Sequence, residues 1–188
     1  MAITSGAGNS RINYNRFMIV RPAAAQDLPA IQSIYAHHVL HGLASFEETP
    51  PPLEEMRCRY EDVTAHGLPY LAAEEKGEVL GYGYCTLYRT RSAYRYTLED
   101  SIYVKEGRQG KGIGRALLGE LIPRCAVLNY RQIVAVIGDS ANAASIKLHA
   151  SLGFVRIGVL RSTGYKFGRW VDSVYMQLPL GQGDGTKP

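Results

Sequence analysis

The chain has 188 residues, of which 46% are hydrophobic and 20% charged. That is enough to bury a core unaided, and it excludes wholesale disorder. A net charge of +4, from 21 basic and 17 acidic residues, suits an anionic ligand as well as nucleic acid and excludes neither. The length fits one domain, and no apolar run approaches the roughly 20 residues that cross a bilayer. Cys58, Cys85 and Cys125 are odd in number, far apart in sequence and without CxxC spacing. No disulfide framework or zinc site is expected, and a reducing, cytoplasmic compartment is the default.

Residues 1–17 contain no hydrophobic signal region and read as a flexible tail, with Met18 a candidate start. Residues 181–188, GQGDGTKP, are expected to fray as well. Between them, 18–180 reads as one domain. Met18 to Arg21 is a short apolar strand. Asp27 is placed to cap a helix with Pro29 in its first turn, and Leu28, Ile31, Ile34, Tyr35 and Val39 follow helical spacing as far as Gly42. Past the prolines at 50–52, Leu53, Met56, Tyr60 and Val63 share the face of a second helix that stops at Gly67.

Strand signals follow at Tyr70 to Glu74, Val79 to Tyr88 and Tyr96 to Val104, the first two joined by a Lys76-Gly77 turn that argues for antiparallel pairing. After a glycine-rich turn, Ile113, Leu117, Leu118, Leu121, Ile122 and Cys125 mark a helix that Pro123 should kink or shorten. A strand at Gln132 to Ile137, a helix from Asn142 to Leu152 and two more strands complete an α+β (mixed α/β) pattern around a partly antiparallel sheet.

Gln109-Gly110-Lys111-Gly112-Ile113-Gly114-Arg115 lies between a strand and a helix. Its glycines remove side chains where a ligand must approach the backbone. The free N–H groups of the helix start favour an anion, by about 0.3–1 kcal/mol per charge. Lys111, Arg115 and nearby Arg108 add positive charge, so a diphosphate is the natural guest. Lys111 is followed by Gly112, which breaks the Walker pattern, and neither the glycine spacing nor an acid near Gln132 completes a dinucleotide fingerprint.

This loop resembles the Q/R-x-x-G-x-G/A acetyl-CoA loop of the GNAT superfamily of N-acetyltransferases. Asn142 to Ser145, continuing through Leu148-His149 to Leu152-Gly153-Phe154, resembles that superfamily's second cofactor motif. From about Met18 to Leu180 the chain is similar to the phosphinothricin and methionine sulfoximine acetyltransferases. SFEE at Ser45 to Glu48, LEDSIYV at Leu98 to Val104, IGDSANAAS at Ile137 to Ser145 and KFGRWVD at Lys166 to Asp172 carry that likeness. The resemblance implies a single domain with a mostly antiparallel twisted sheet, about four flanking helices and a sheet splayed in the middle for the cofactor.

It further implies acetyl transfer from acetyl-CoA to the primary amine of a small anionic amino acid, with no metal. The backbone of Ile102, Tyr103 and Val104 would pair with the pantetheine arm, Gln109 to Arg115 would hold the pyrophosphate, and Asn142 would touch the cofactor. Phe46, Arg89, Thr90, Arg91, Glu99, Asp100 and Ser101 would form the substrate site. Arginine suits a carboxylate or phosphinate because its fork binds bidentately. Relatives often carry Pro at the position of Thr90 and Thr at that of Leu43.

An amine of lysine-like pKa costs about 4.6 kcal/mol to deprotonate at pH 7, so a carboxylate base is needed. Strand geometry sends Glu99 and Asp100 to opposite faces, so one of them reaches the amine, and the resemblance selects Glu99. His149 stands where many relatives carry a tyrosine acid; it is either that acid or a packed helix residue. A homodimer is carried over as a family expectation.

Tyrosine and arginine alternate from Tyr88 to Tyr96, a pattern that can stack on nucleic acid, but it is short and no nucleic-acid partner is expected. His37, His38 and His41 lack the Glu and third ligand of a zinc helix. Phe167 and Trp170 belong to core, pocket or dimer contact without distinction. Two rival functions stand beside the first: acetylation of another amine (polyamine, aminoglycoside or protein N-terminus), and an acetyl-CoA binder without catalysis.

Overall fold

The computed structural model describes residues 18–188, so the N-terminal tail expected at 1–17 lies outside the described residues. The elements run β1 (Met18–Pro22), α1 (Leu28–His41), α2 (Leu53–Ala65), β2 (Tyr70–Glu75), β3 (Glu78–Leu87), β4 (Thr97–Val104), α3 (Ile113–Val127), β5 (Gln132–Gly138), α4 (Ala143–Ala150), β6 (Val155–Lys166) and β7 (Arg169–Pro179). They form one mixed seven-stranded sheet in the order β1-β2-β3-β4-β5-β7-β6, with four helices. Among the described residues no helix is long and apolar enough to cross a membrane.

Two hairpins are set by their turns. Lys76 and Gly77 (φ 52° and 83°) close β2–β3, and Phe167 and Gly168 (φ 51° and 73°) close β6–β7. Left-handed conformation at both central residues gives the turn whose twist matches paired strands. Every strand contact is antiparallel except β4–β5, which pairs in parallel over four positions, Thr97↔Gln132 to Asp100↔Ala135. Beyond Asp100, β4 continues on β3 alone and β5 on β7 alone. The sheet opens there into a wedge.

Side chains of β4 alternate between two layers. Leu98, Asp100, Ile102 and Val104 turn toward α3 and α4, whereas Tyr103 stacks on Tyr82 and meets Tyr35 of α1 edge-on. Helix α3 sits close on β3 because Gly81 and Gly83 present no side chain: a Cβ at Gly81 would lie 3.0 Å from Ile113 Cγ2, besides 2.8 Å from the Tyr103 carbonyl oxygen, and one at Gly83 would lie 3.3 Å from Leu121 Cδ1. Leu117, Leu118 and Leu121 fill the space above, fully buried.

Two local readings change, and one pairing is new. Asp27 occupies the position before α1, but its carboxylate accepts from the Ala24 N–H and from Arg21 at 2.7 and 2.9 Å instead of capping the helix. A bidentate ion pair outcompetes a cap bond. Helix α3 is not shortened by Pro123; it continues to Val127, held by the burial of Leu121 and Cys125 on either side. Cys85 and Cys125, distant in sequence, are both buried and meet with sulfurs 3.5 Å apart as free thiols. After β7, residues 181–188 make turns, and Arg131 donates to the Lys187 carbonyl at 3.1 Å.

The α3–β3 contact yields a stability prediction. Gly81→Ala forces a Cβ against main chain and is expected to cost about 1–3 kcal/mol, lowering the melting midpoint by roughly 2–4 °C per kcal/mol. Gly158→Ala, where an added Cβ meets nothing within 4 Å, is the control and should stay within about 0.5 kcal/mol of wild type. Thermal melts of the two variants decide it.

Candidate active site

Where β4 and β5 part, a cleft of about 230 Å³ opens. Its walls are Glu99 to Tyr103 of β4 and Ala135 to Gly138 of β5, with Asn142, Ser145 and His149 at α4, Ser173 of β7, and Ala44 and Phe46 from the loop after α1. From Ser101 onward the β5 side of β4 has no strand partner. Its backbone groups are free to pair with an extended ligand. The Val104 carbonyl is an exception, since it accepts from His38 Nε2 at 2.8 Å.

The neighbouring carboxylates live in different surroundings. Glu99 is half-buried on the face opposite Asp100. Burial pushes its pKa above the usual 4.5, the nearby Arg89 charge pulls it back in part, and Asp100 adds to the rise. Asp100 is buried, with Oδ2 3.0 Å from His149 Nε2. His149 Nδ1 lies 2.8 Å from the Ser145 carbonyl. Acceptors at both ring nitrogens favour a proton on each. Burial alone lowers its pKa, but the hydrogen bond and charge of Asp100 outweigh burial and hold it above 6.5. Both N–H groups of His149 are therefore engaged within the protein. Asp100 Oδ1 is buried and has no protein partner.

Beyond the C-terminal end of β4 the chain turns through glycines into the start of α3. Gly110 and Gly112 adopt φ of 74° and 82°, and a Cβ on either would meet nothing within 4 Å, so backbone conformation is what demands glycine here. Gly112 occupies the cap position, and no side chain caps the helix. The first N–H groups of α3 consequently keep their capacity for an anion. Gln109 and Lys111 are exposed beside them, whereas Ile113 is buried and offers only its backbone. Arg115 reaches across to the Ser151 carbonyl at 3.1 Å and its hydroxyl at 2.6 Å, and Gly114 lets Leu148 of α4 approach. Arg108 is tied to Glu78 at 3.0 Å.

Asn142 caps α4 by accepting from the Ser145 N–H at 3.1 Å. The turn before it is clamped to the β6–β7 hairpin by Asp139 with Arg169 and by Ser140 with Asp172. Phe46 covers the cleft from the far side, 40% exposed, with its ring against Gly164. Arg89, Thr90 and Arg91 stand on the exposed β3–β4 connection outside the cleft walls. Arg89 stacks on its neighbour Tyr88 at 4.2 Å and reaches Glu99 by its charge alone.

Lys166 is the residue at this site that sequence reasoning missed. Only 2% exposed, it donates from Nζ to the carbonyls of Gly42 at 3.0 Å and Ser45 at 2.7 Å. A lone lysine in a strand reads as a solvated charge; the sole signal was its place in the KFGRWVD segment. Among the described residues no group of three or more potential metal ligands is present.

Residues 32–154 match the family model for the Acetyltransferase (GNAT) family. Phosphinothricin N-acetyltransferase of Alcaligenes faecalis is 57% identical over 169 residues, 90% of this chain and 86% of that one. The L-methionine sulfoximine/L-methionine sulfone acetyltransferase of Salmonella typhimurium is 42% identical over 163 residues, 87% of this chain and 95% of that protein. Among solved structures, a phosphinothricin acetyltransferase from Sinorhizobium meliloti in complex with AcCoA superposes with a TM-score of 0.88 at 48% identity, covering 92% of this chain and 93% of that one. With its open mixed sheet, glycine loop and cleft, the chain belongs to the GNAT family of acetyltransferases.

Proposed function

We propose that this acetyltransferase moves the acetyl group of acetyl-CoA onto the primary amine of a small anionic amino acid of the phosphinothricin or methionine sulfoximine type. The observation that carries the assignment is Glu99: a half-buried carboxylate of raised pKa, at the point where β4 leaves β5 and its edge becomes free. The named relatives and the acetyl-CoA complex of the Sinorhizobium meliloti protein support it.

The residues fit the cofactor. Gly110 to Arg115 would hold its pyrophosphate on uncapped N–H groups, with Gln109 and Lys111 alongside. The free edge of β4 at Ile102 and Tyr103 would bond the pantetheine arm, Val104 contributing its N–H side only. Asn142 stands at the opposite wall. Acetyl-CoA supplies the acetyl group as a thioester. The amine nitrogen would attack its carbonyl carbon, forming the C–N bond as the C–S bond breaks; CoA would leave as the thiolate and take a proton from solvent, and Glu99 would take the proton from nitrogen. Glu99 must be ionised to act, so the raised pKa brings its affinity for a proton closer to that of the amine.

His149, with both N–H groups engaged, is assigned to positioning: with Asp100 it fixes α4 against β4 so that Asn142 and the cleft wall keep their place. Ser101 and Phe46 border the amine site. Arg89 and Arg91, with Thr90 between them, form its cationic approach. A pair of arginines favours an anionic amino acid over a polycation. We further propose a homodimer in the cytoplasm. Tyr165, Phe167 and Trp170 leave 58%, 56% and 63% of their surface exposed around the tip of the β6–β7 hairpin, an apolar patch suited to a second copy.

Acetyl-CoA-dependent thiol release with phosphinothricin, methionine sulfoximine, methionine sulfone, spermidine and an aminoglycoside tests the substrate. Turnover is expected with the anionic amino acids and should fall at least tenfold in Glu99→Gln. Their kcat/KM should rise with pH through a pKa above 4.5, a limb that Glu99→Gln removes. Turnover of the polycations alone would reject the substrate class, and acetyl-CoA binding without turnover would reject the enzyme reading. Asp100→Asn leaves burial as the dominant influence on His149 and should move its imidazole titration, followed by NMR, below 6.5; an unmoved titration contradicts the ion pair. Sedimentation equilibrium should report a dimer that Trp170→Glu dissociates.

A further inference from the structure

The loop Gly42 to Glu48 has no regular secondary structure, yet it supplies two of the cleft's walls, Ala44 and Phe46. Its backbone is seated on glycines. A Cβ at Gly138 would collide with the Leu43 carbonyl oxygen, and one at Gly164 would lie 2.5 Å from Phe46 Cε2. Contact of this kind limits how near the loop comes without fixing where it stops. Polar ties hold both ends: Glu47 Oε1 accepts from Tyr35 Oη at 3.0 Å and from Arg59 at 2.7 Å, Ser45 Oγ meets Tyr35 Oη at 2.9 Å, and Lys166 Nζ donates to Gly42 O and Ser45 O.

We propose that Lys166 is a positioning residue for amine specificity, a strut whose ammonium holds two carbonyls of the Gly42–Glu48 loop and so sets the height of Phe46 over the amine end of the cleft. The two carbonyls lie three residues apart, so one point donor between them fixes the curvature of the loop as well as its distance from β6. A buried lysine is costly unless its donors are satisfied; here two of the three are spent on main chain, and the Phe167 ring lies 5.0 Å from Nζ. The glycine turn proposed for acetyl-CoA, Gly110 to Arg115, has no contact with this arrangement. The specificity claim rests on the amine-acetyltransferase reading above; the claim that Lys166 holds the loop does not.

The experiment compares wild type with Lys166→Met by hydrogen exchange and by steady-state kinetics. Backbone amides of residues 42–48 should exchange at least tenfold faster in the variant, while those of 110–115 stay within twofold. KM for the anionic amine should rise at least tenfold, with KM for acetyl-CoA within twofold and kcat within about threefold. Lys166→Gln keeps an amide donor, should recover part of both effects, and decides the question if the methionine variant does not fold. Unchanged exchange in the loop overturns the strut. Faster exchange without a rise in the amine KM, or with both KM values rising together, overturns the role in specificity. A wild type silent toward all the amines would sink the substrate reading and the specificity role with it, and the exchange comparison would still decide whether Lys166 holds the loop.

Discussion

Parallel pairing between β4 and β5 stops after four residues, at Asp100 and Ala135, and the functional half of the molecule is arranged around that divergence. Backbone amides and carbonyls left unpaired inside a sheet are unfavourable unless water or a ligand reaches them. Here each strand keeps its outer partner, β3 for one and β7 for the other, so the gap is stiff on both sides. The connection β5–α4 is tethered to β7 by two polar clamps, Asp139 with Arg169 and Ser140 with Asp172. The wedge therefore lies between two strands that are each paired on their outer side, β5 with β7, which is inserted between β5 and β6.

Within the wedge, one dipeptide separates two tasks. Glu99 and Asp100 are adjacent, so the pleat sends them to different layers. The tyrosine-lined layer under α1 gives Glu99 partial burial and no hydrogen-bonded cation, which raises its pKa. The α3–α4 layer gives Asp100 a buried histidine partner whose pKa the carboxylate raises. Removing one member of such a pair leaves an uncompensated charge, typically at a cost of about 3–5 kcal/mol. The pair is thus a poor place for proton traffic and a good one for holding α4, an eight-residue helix, in register with the strand it faces. The proposed base is the carboxylate that is free to change charge.

Much of this was legible in the chain. Turn chemistry at Lys76-Gly77, the period of Ile113 to Cys125 and the glycines before α3 are local signals, and they located the hairpin, the helix and its uncapped start. What escaped was non-local. Asp27 has the residue type and position of a cap, but Arg21, six residues earlier, takes its carboxylate. Cys85 and Cys125 are 40 residues apart and the His149–Asp100 pair 49; neither pairing has a sequence period. Pro123 argues locally for a break that flanking burial overrides. Arg89 to Arg91 carry the right charge for a substrate, but a side chain on a loop is not placed by its type, and the structure leaves them outside the walls.

Lys166 shows the same limit in sharper form. Alternation along β6 predicts that Gly164 and Lys166 share a face, which holds in the structure, where both are buried. Alternation is silent about what covers that face. A charged residue there is normally exposed, and only the carbonyls of Gly42 and Ser45, more than 120 positions away in the chain, make its burial favourable. The loop in turn has no periodic pattern that would pin it, so its position is determined from outside, by Lys166, Gly138 and Gly164 and by Tyr35 and Arg59, which bond Ser45 and Glu47. The glycine turn proposed to hold a phosphate is written in contiguous residues. The half of the cleft proposed to face the amine is assembled from a loop, a strand end and a hairpin that only the fold brings together.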